Sequence, residues 1–440
     1  MTMRLIPIIC LAMVLGCQER PASSYDEAPK NCSGQIEYLS STDPAYKYLE
    51  LKQDKIYRAF PGVQDPLSKA EIASPGSIKD WNDLSERLDQ IGVVEKEFSD
   101  LLRESLECDK LNTRHESPLT HLAIKLSLDE LKKNNPIWVD KINTVRFGSL
   151  PTGKINGTAL LPDGSDNPLI IIERDIYSFT GAFSKSISDA IPISTSQNFV
   201  QLDHSEEGIE KRILANPDIL LNFSDALIRM VKFGTSKGAR ERFLDANHSL
   251  LHSRLVSSMD EFIISHEVGH ILLDHIETGK KSLVSHDVYL RSQTTKKIND
   301  ELDLVLIDWD NNQELEADKI AAELMLAASD DNPIGDLVAV AAAEIIFELF
   351  DLIEIYKYQT GLPRQRHEQH PPASVRREAL NKVVNEVIKK NTVLNNNADF
   401  RPVFTASLNT LIKLADPIIR EELGIDENEN FPEEYQIRFK

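Results

Sequence analysis

The sequence predicts a mostly helical α+β protein, and three observations lead to this prediction. The pattern shifts to short β-like runs in residues 134–175, and from residue 210 onward it is almost entirely helical. The stretch Asp260–Ile276 is apolar around most of its circumference, which is typical of a buried helix. Another helix is predicted to begin at Asn311 and to run to about Ser329. We therefore expect a small β-sheet with helical regions on its N-terminal and C-terminal sides.

The buried helix carries His266-Glu267-Val268-Gly269-His270, which is an H-E-x-x-H pattern. Two histidines four residues apart lie on one helix face, with their Cβ atoms roughly 5–6 Å apart. This spacing lets both imidazoles bind one Zn²⁺ at about 2.0–2.1 Å. Glu267 follows the first histidine and can act as a general base toward water. Polar groups on a buried helix need partners, and a metal ion supplies them.

The ends of this helix follow from its flanking residues. Ser258 and Glu261 fit an S-x-x-E capping box, so we expect the helix to begin close to Ser258. His275 lies five residues beyond His270, about 500° around a helix at 100° per residue, and should point away from the ligand face. We interpret His275 as a surface histidine or as one that supports a ligand from behind.

A catalytic zinc ion needs three protein ligands and one open position. The metzincin pattern requires Gly at 273 and His at 276, and Leu273 and Ile276 exclude it. Glu314 and Asp318 are spaced i, i+4 on the later helix and share a face. Glu314 can ligate the metal, and Asp318 can accept a hydrogen bond from the far nitrogen of a ligand histidine. The alternative is a solvated acidic helix start, because carboxylates favour helix N-termini.

His266–His270 followed by Glu314, Ala317 and Asp318 resembles the gluzincin metallopeptidases of the CAAX-prenyl-protease and HtpX-like type. The resemblance implies a zincin-like metallopeptidase core that holds one Zn²⁺ per chain and hydrolyses peptide bonds. It implies zinc ligation by His266, His270 and Glu314, with Glu267 as the catalytic base. It also implies that Asp318 supports a ligand histidine through a hydrogen bond.

Two further segments are similar to this family. His370-Pro371-Pro372, with Arg376 following, resembles the late H-P motif, which implies that His370 stabilises the oxyanion or occupies the fourth metal position at rest. The alternative is a plain loop histidine. Asn156–Ala159 and Pro168–Glu173 resemble the strand that lines up the peptide substrate at a sheet edge. About 90 residues separate this strand from His266, so an insertion near 200–255 is implied, and it could cover or gate the cleft.

The N-terminus has the pattern of a targeting segment. Arg4 precedes an apolar run, Leu5–Leu15, that is too short to span a bilayer but suits a signal peptide. Val14–Cys17 resembles a bacterial lipobox, which implies cleavage before Cys17 and its lipidation. Gln18, rather than Asp, then favours sorting to the outer membrane, facing the periplasm. The alternative is an ordinary signal peptide with a chance cysteine.

The predicted organisation has five parts. They are a lipoprotein signal peptide at 1–16, a tether at 17–45, an N-terminal helical region at 46–133, the zinc metallopeptidase domain at 134–385 and a C-terminal helical region at 386–440. Cys32 and Cys108 remain for one disulfide in an oxidising compartment, although nothing in the sequence shows that they meet. The most apolar later stretch, Leu337–Phe350, contains two glutamates and is predicted to be a buried core helix.

The charge balance narrows the class of partner. The net charge of −21, from 49 basic and 70 acidic residues, argues against nucleic acid as a partner. We expect a protein or peptide substrate, and a membrane contact through the lipid anchor. Gly234–Gly238 matches G-x-S-x-G, but a helical pattern precedes it, so Gly234 is interpreted as a helix C-cap.

These observations together predict a zinc-dependent endopeptidase. A role in envelope protein quality control is what the family resemblance implies. The alternative is a chaperone or assembly lipoprotein whose zinc site is structural or self-blocked. A fourth permanent ligand, such as His370, would close the site in that case.

Overall fold

The computed structural model describes residues 37–59, 110–152, 155–196, 199–236, 238–240, 244–276, 311–326, 333–362, 371–390 and 401–426. These residues are mostly helical and contain one three-stranded sheet and two two-stranded pairs, so the predicted α+β class is confirmed. The chain divides into two compact units. The sheet unit contains the described residues of 19–176 and 267–308, and the helical unit contains those of 177–266 and 309–440. The domain borders predicted from the sequence stay predictions.

The elements up to residue 173 belong to the sheet unit. In chain order they are β1 (Glu37–Tyr38), α1 (Pro44–Ala59), β2 (Lys110–Leu111), α2 (Pro118–Asn134), α3 (Val139–Thr144), β3 (Arg146–Leu150), β4 (Gly157–Leu160) and β5 (Leu169–Glu173).

The later elements are longer and almost all helical. They are α4 (Asp175–Ala190), β6 (Ile193–Ser196), β7 (Phe199–Leu202), α5 (Glu206–Ala215), α6 (Pro217–Phe233), α7 (Ala246–Leu272), α8 (Asn311–Leu326), α9 (Pro333–Gln359), α10 (Ala373–Lys390) and α11 (Arg401–Leu423). The predicted shift to helix after residue 210 is confirmed.

The three-stranded sheet has the order β3-β5-β4. β3 runs parallel to β5, whereas β4 runs antiparallel to it, and Gly148 and Thr158 both pair with Ile171. All five residues of β5 are buried, as expected for a continuous apolar run between two other strands. The prediction that Asn156–Ala159 and Pro168–Glu173 form a single edge strand is therefore wrong. They form two strands, and of these only β4 lies at an edge of the described sheet.

One helix and one buried polar network fix this sheet. Ala45, Leu49 and Ile56 of α1 pack against Leu150, Leu160, Leu169 and Ile171. Arg174 Nε donates to Ser149 Oγ at 2.9 Å, and the Ser149 amide donates to Glu116 Oε2 at 3.0 Å. Because each buried polar group has a partner, the network stabilises the ends of β3 and β5 at low desolvation cost.

Helix α9 is the core of the helical unit. It packs against α6, α8, α10 and α11, and nearly all of its middle residues are buried. The prediction that Leu337–Phe350 forms a buried core helix is confirmed. Two aromatic pairs fix its register, since Phe350 stacks on Phe179 at 5.5 Å and Phe347 meets Phe262 at 5.6 Å. Of the described helices, none is both long and apolar enough to cross a membrane.

The predicted insertion near 200–255 contains two complete helices, α5 and α6, and both pack on α11. Helix α6 ends at Gly234, whose φ of +74° gives the left-handed C-cap that the sequence predicted. A helix, and not a strand, therefore precedes the G-x-S-x-G match, which excludes a nucleophile elbow. Whether this region covers or gates a cleft stays a prediction.

Helix α7 differs from its prediction at both ends. It begins at Ala246, where Asp245 Oδ1 accepts from the amides of Asn247 and His248 at 3.1 Å. Ser258 lies buried inside the helix, so the predicted capping box is wrong. The helix ends at Leu272, four residues earlier than expected, because Asp274 adopts a left-handed φ of 56°. A short capping pattern also occurs within helices, which is why the sequence misplaced the start.

Candidate metal centre

Helix α7 holds three functional side chains inside the protein. His266, Glu267 and His270 are 8%, 5% and 1% exposed, respectively. They are buried because apolar neighbours on both sides of the motif, among them Ile264 and Ile271, are also buried. The helix runs without a break through both histidines, so their spacing of one turn follows from helix geometry.

Glu314 reaches the histidines from the first turn of α8. Its side chain is fully buried, and Oε2 lies 3.4 Å from His266 Nε2. One ligand atom from each of His266, His270 and Glu314 lies within 4.8 Å of the other two. In the described parts of the chain, this is the one group of three or more His, Cys, Asp or Glu side chains that meets this criterion. The alternative that Glu314 belongs to a solvated acidic helix start is wrong, since its exposure is 0%.

The donor set fits a zinc ion. Two imidazole nitrogens and one carboxylate oxygen form the His₂Glu set that is found in catalytic zinc sites with an open fourth position. The three ligand atoms are buried and lie close enough together to bind one ion, and a divalent cation would compensate the carboxylate charge further. His266, His270 and Glu314 are therefore the residues that could hold the metal.

Asp318 contacts His266 at Nδ1, the ring nitrogen that does not face Glu314, and Arg376 holds Asp318 there. Asp318 Oδ1 lies 2.9 Å from His266 Nδ1. Arg376 of α10 donates two hydrogen bonds to the same carboxylate, from Nε to Oδ2 at 2.7 Å and from Nη2 to Oδ1 at 2.6 Å. A carboxylate at Nδ1 fixes the proton of the imidazole there and leaves Nε2 directed at Glu314. The sequence offered no sign of the Arg376 contact beyond the position of this arginine after the H-P motif.

The charges of this cluster are strongly coupled. Burial disfavours the charged form of Asp318, but Arg376 and His266 together outweigh burial and hold the pKa of Asp318 below its usual value. Burial alone would likewise lower the pKa of His266, yet Asp318 and Glu314 outweigh it and raise that pKa to about 10. Arg376 Nη1 also lies 3.5 Å from Glu314 Oε2. Its guanidinium carbon lies 4.8 Å from the centre of the Phe347 ring, which closes the cluster on one side.

His275 lies next to His270, and the prediction that it points away is wrong. Its Nδ1 is 3.1 Å from His270 Nδ1, and its side chain is 8% exposed. The count of 100° per residue fails because the helix ends at Leu272 and the chain reverses at Asp274. The interpretation of His275 as a surface histidine is excluded, and the alternative that it supports a ligand agrees with this geometry. Asp274 was the residue in the sequence that could have indicated this chain reversal, because Asp tolerates the left-handed region.

Gly157 places strand β4 directly beside Glu267. A Cβ atom added at Gly157 would lie only 2.6 Å from Glu267 Oε1. The missing side chain therefore makes room for the carboxylate against the strand. Glycine in a strand often marks such a close approach, so Gly157 was the signal in the sequence for this contact.

Other residues named from the sequence lie outside the described part of the chain. These are Cys17, His370 and the pair Cys32 and Cys108.

Comparison with protein families shows that residues 248–384 match Peptidase family M48. The matched segment includes His266–His270, Glu314, Asp318 and Arg376, so the similarity covers the whole cluster described above. Members of this family are zinc-dependent, and the match supports a metallopeptidase that hydrolyses peptide bonds. Comparison with curated proteins finds no match, and comparison with solved structures finds none.

Replacing Arg376 tests the charge balance of the cluster. Arg376→Met leaves Asp318 and Glu314 buried without their guanidinium, so we expect the free energy of unfolding of the metal-free protein to fall by about 3–5 kcal/mol. The matched control is Arg377→Met on the same helix, whose more exposed ion pair with Glu348 should contribute less than half as much. Urea denaturation of both variants measures this difference, and equal losses would contradict the account.

Proposed function

We propose that this protein is a zinc-dependent endopeptidase. The observation that carries the proposal is the convergence of His266, His270 and Glu314 beside the buried carboxylate of Glu267. The family match supports zinc-dependent proteolysis, and the proposal adds cleavage within a chain as opposed to cleavage at a terminus.

Glu267 is the proposed general base. Zinc, when bound, supplies Lewis acidity that polarises a carbonyl and lowers the pKa of water to about 7. The Glu267 carboxylate accepts the proton of the attacking water and passes it to the leaving amine. Its neighbours suit this task, since Gly157 leaves the carboxylate room beside the strand. In the proposal His370 holds the developing oxyanion, and this role rests on the family resemblance alone.

Strand β4 is the proposed site for the substrate backbone. Within the described sheet it pairs with β5 on one side, and its other side is an edge. An edge strand can bind an extended peptide through main-chain hydrogen bonds. Because Gly157 of this strand touches Glu267, a peptide added along β4 would have internal bonds close to the base. A site that binds the substrate's main chain, and not its terminus, supports cleavage within the chain, which is endopeptidase activity.

The substrate class and location complete the proposal. The N-terminal pattern up to Cys17 supports a lipoprotein anchored in the bacterial outer membrane and facing the periplasm. In that compartment the substrates would be unfolded or misassembled envelope proteins. The net charge of −21 supports attachment by acyl chains rather than by attraction to anionic lipid.

The proposed base is tested with Glu267→Gln. The variant keeps the shape of the side chain but cannot accept the proton, so casein cleavage should fall by about 10²–10⁴-fold. Zinc content, measured by atomic emission, should stay at one per chain because Glu267 is not a proposed ligand. Glu316→Gln on the exposed face of α8 is the control and should cleave like wild type. Undiminished cleavage by the Glu267 variant would refute the assigned base.

The proposed anchor is tested with Cys17→Ser in the full chain, expressed in a bacterium with labelled palmitate. The thiol is the attachment point, so the label and sedimentation with membranes should both be lost. Cys10→Ser, within the apolar run that precedes Cys17, serves as the control and should keep both. If the wild-type chain takes up no label, the chain has an ordinary signal peptide instead.

A further inference from the structure

We propose that His275 is a positioning residue for the metal centre, and that its Nδ1 accepts a hydrogen bond from His270 Nδ1. The proposal rests on the proposed function, because it assigns His270 as a zinc ligand. It gives each of the two histidines its own support: a carboxylate, Asp318, for His266 and a neutral imidazole for His270.

The end of α7 brings His275 into place. Asp274 takes a left-handed φ of 56°, and the His275 amide then donates to the carbonyl of His270 at 2.9 Å. This bond closes the helix end and returns the chain toward the preceding turn. Lys141 holds the same reversal from α3, since its Nζ donates to the Leu272 carbonyl at 3.0 Å and to Asp274 Oδ1 at 2.7 Å. The position of His275 is thus fixed by the backbone at the end of α7 and by the hydrogen bonds from Lys141 of α3.

The contact between the two rings is a hydrogen bond in geometry. The Nδ1 atoms are 3.1 Å apart, whereas the ring centroids are 5.3 Å apart and the planes are tilted by 62°. The rings therefore approach through their nitrogens and are not stacked. Both side chains are buried, so the shared proton is sheltered from bulk water.

The position of the proton follows from the chemistry of a metal ligand. An imidazole that binds a metal through Nε2 must carry its proton on Nδ1. His270 Nδ1 then donates, and His275 Nδ1 accepts, which places the proton of His275 on Nε2. A neutral acceptor adds no negative charge to a site that already holds Glu314 and Asp318. This contact fixes both the tautomer and the orientation of the His270 ring.

Two substitutions at the same position separate the hydrogen bond from packing. His275→Asn keeps an acceptor, since the Asn oxygen lies close to the place of Nδ1, whereas His275→Leu keeps the volume and removes the acceptor. Zinc affinity of the full-length chain is measured by competition with a chelator, and the visible spectrum of the Co²⁺-substituted protein reports ligand geometry. We expect His275→Leu to weaken zinc binding by about 10–100-fold and to change the Co²⁺ spectrum. His275→Asn should stay within about threefold of wild type.

His252→Leu is the matched control. His252 lies on the same helix, and its Nδ1 lies 2.9 Å from Ser184 Oγ, so the variant also removes a hydrogen-bonded imidazole. It should lose stability but keep the zinc affinity and the Co²⁺ spectrum of wild type.

The outcomes are distinct. Wild-type affinity in His275→Leu overturns the positioning role and leaves the proposed function intact. Equal weakening of zinc binding in the Asn and Leu variants overturns the acceptor role. If the Leu variant does not fold, the Asn variant is compared with His270→Ala, which removes a proposed ligand. Zinc binding by the Asn variant that is as weak as that of His270→Ala then also overturns the acceptor role. A wild-type chain that binds no zinc overturns the proposed function and this inference with it.

Discussion

The structure depends on how the charges of two buried carboxylates, Glu314 and Asp318, are compensated. They lie one turn apart on α8 with exposures of 0% and 1%. Two unpaired negative charges at this depth would be prohibitively unfavourable. Arg376 compensates Asp318 through two hydrogen bonds, and His266 lies between both carboxylates. Glu314 shares Arg376 and His266 with Asp318, at 3.5 Å from Arg376 Nη1 and 3.4 Å from His266 Nε2, and a divalent cation bound there would add a further positive charge.

Two backbone features near the cluster also determine where its functional side chains lie. A left-handed Asp274 ends α7 and returns His275 to His270. The missing side chain of Gly157 lets β4 approach Glu267. Neither residue has a proposed role in the chemistry. Both decide where a reactive group is held, and the proposed chemistry needs the base and the imidazoles in fixed orientations.

Much of the site was predictable because it is local in sequence. Spacings of i, i+4 placed His266 with His270 and Glu314 with Asp318, and the short β-like runs within residues 134–175 predicted a small sheet. The contacts that the sequence did not predict are of two kinds. Arg376 meets Asp318 across 58 residues, and no local pattern encodes such a pairing. His275 was misplaced because helical periodicity was extended beyond the point at which the helix ends.

The central claim is that two imidazoles and one carboxylate hold a single zinc ion with one position left open. Anomalous X-ray scattering at the zinc edge, from crystals of the wild-type protein, tests it directly. The account predicts one peak at about 2.0–2.2 Å from nitrogens of His266 and His270 and from an oxygen of Glu314, with a non-protein fourth ligand. A peak bound without Glu314, or one closed by a fourth protein ligand in every crystal, would contradict it.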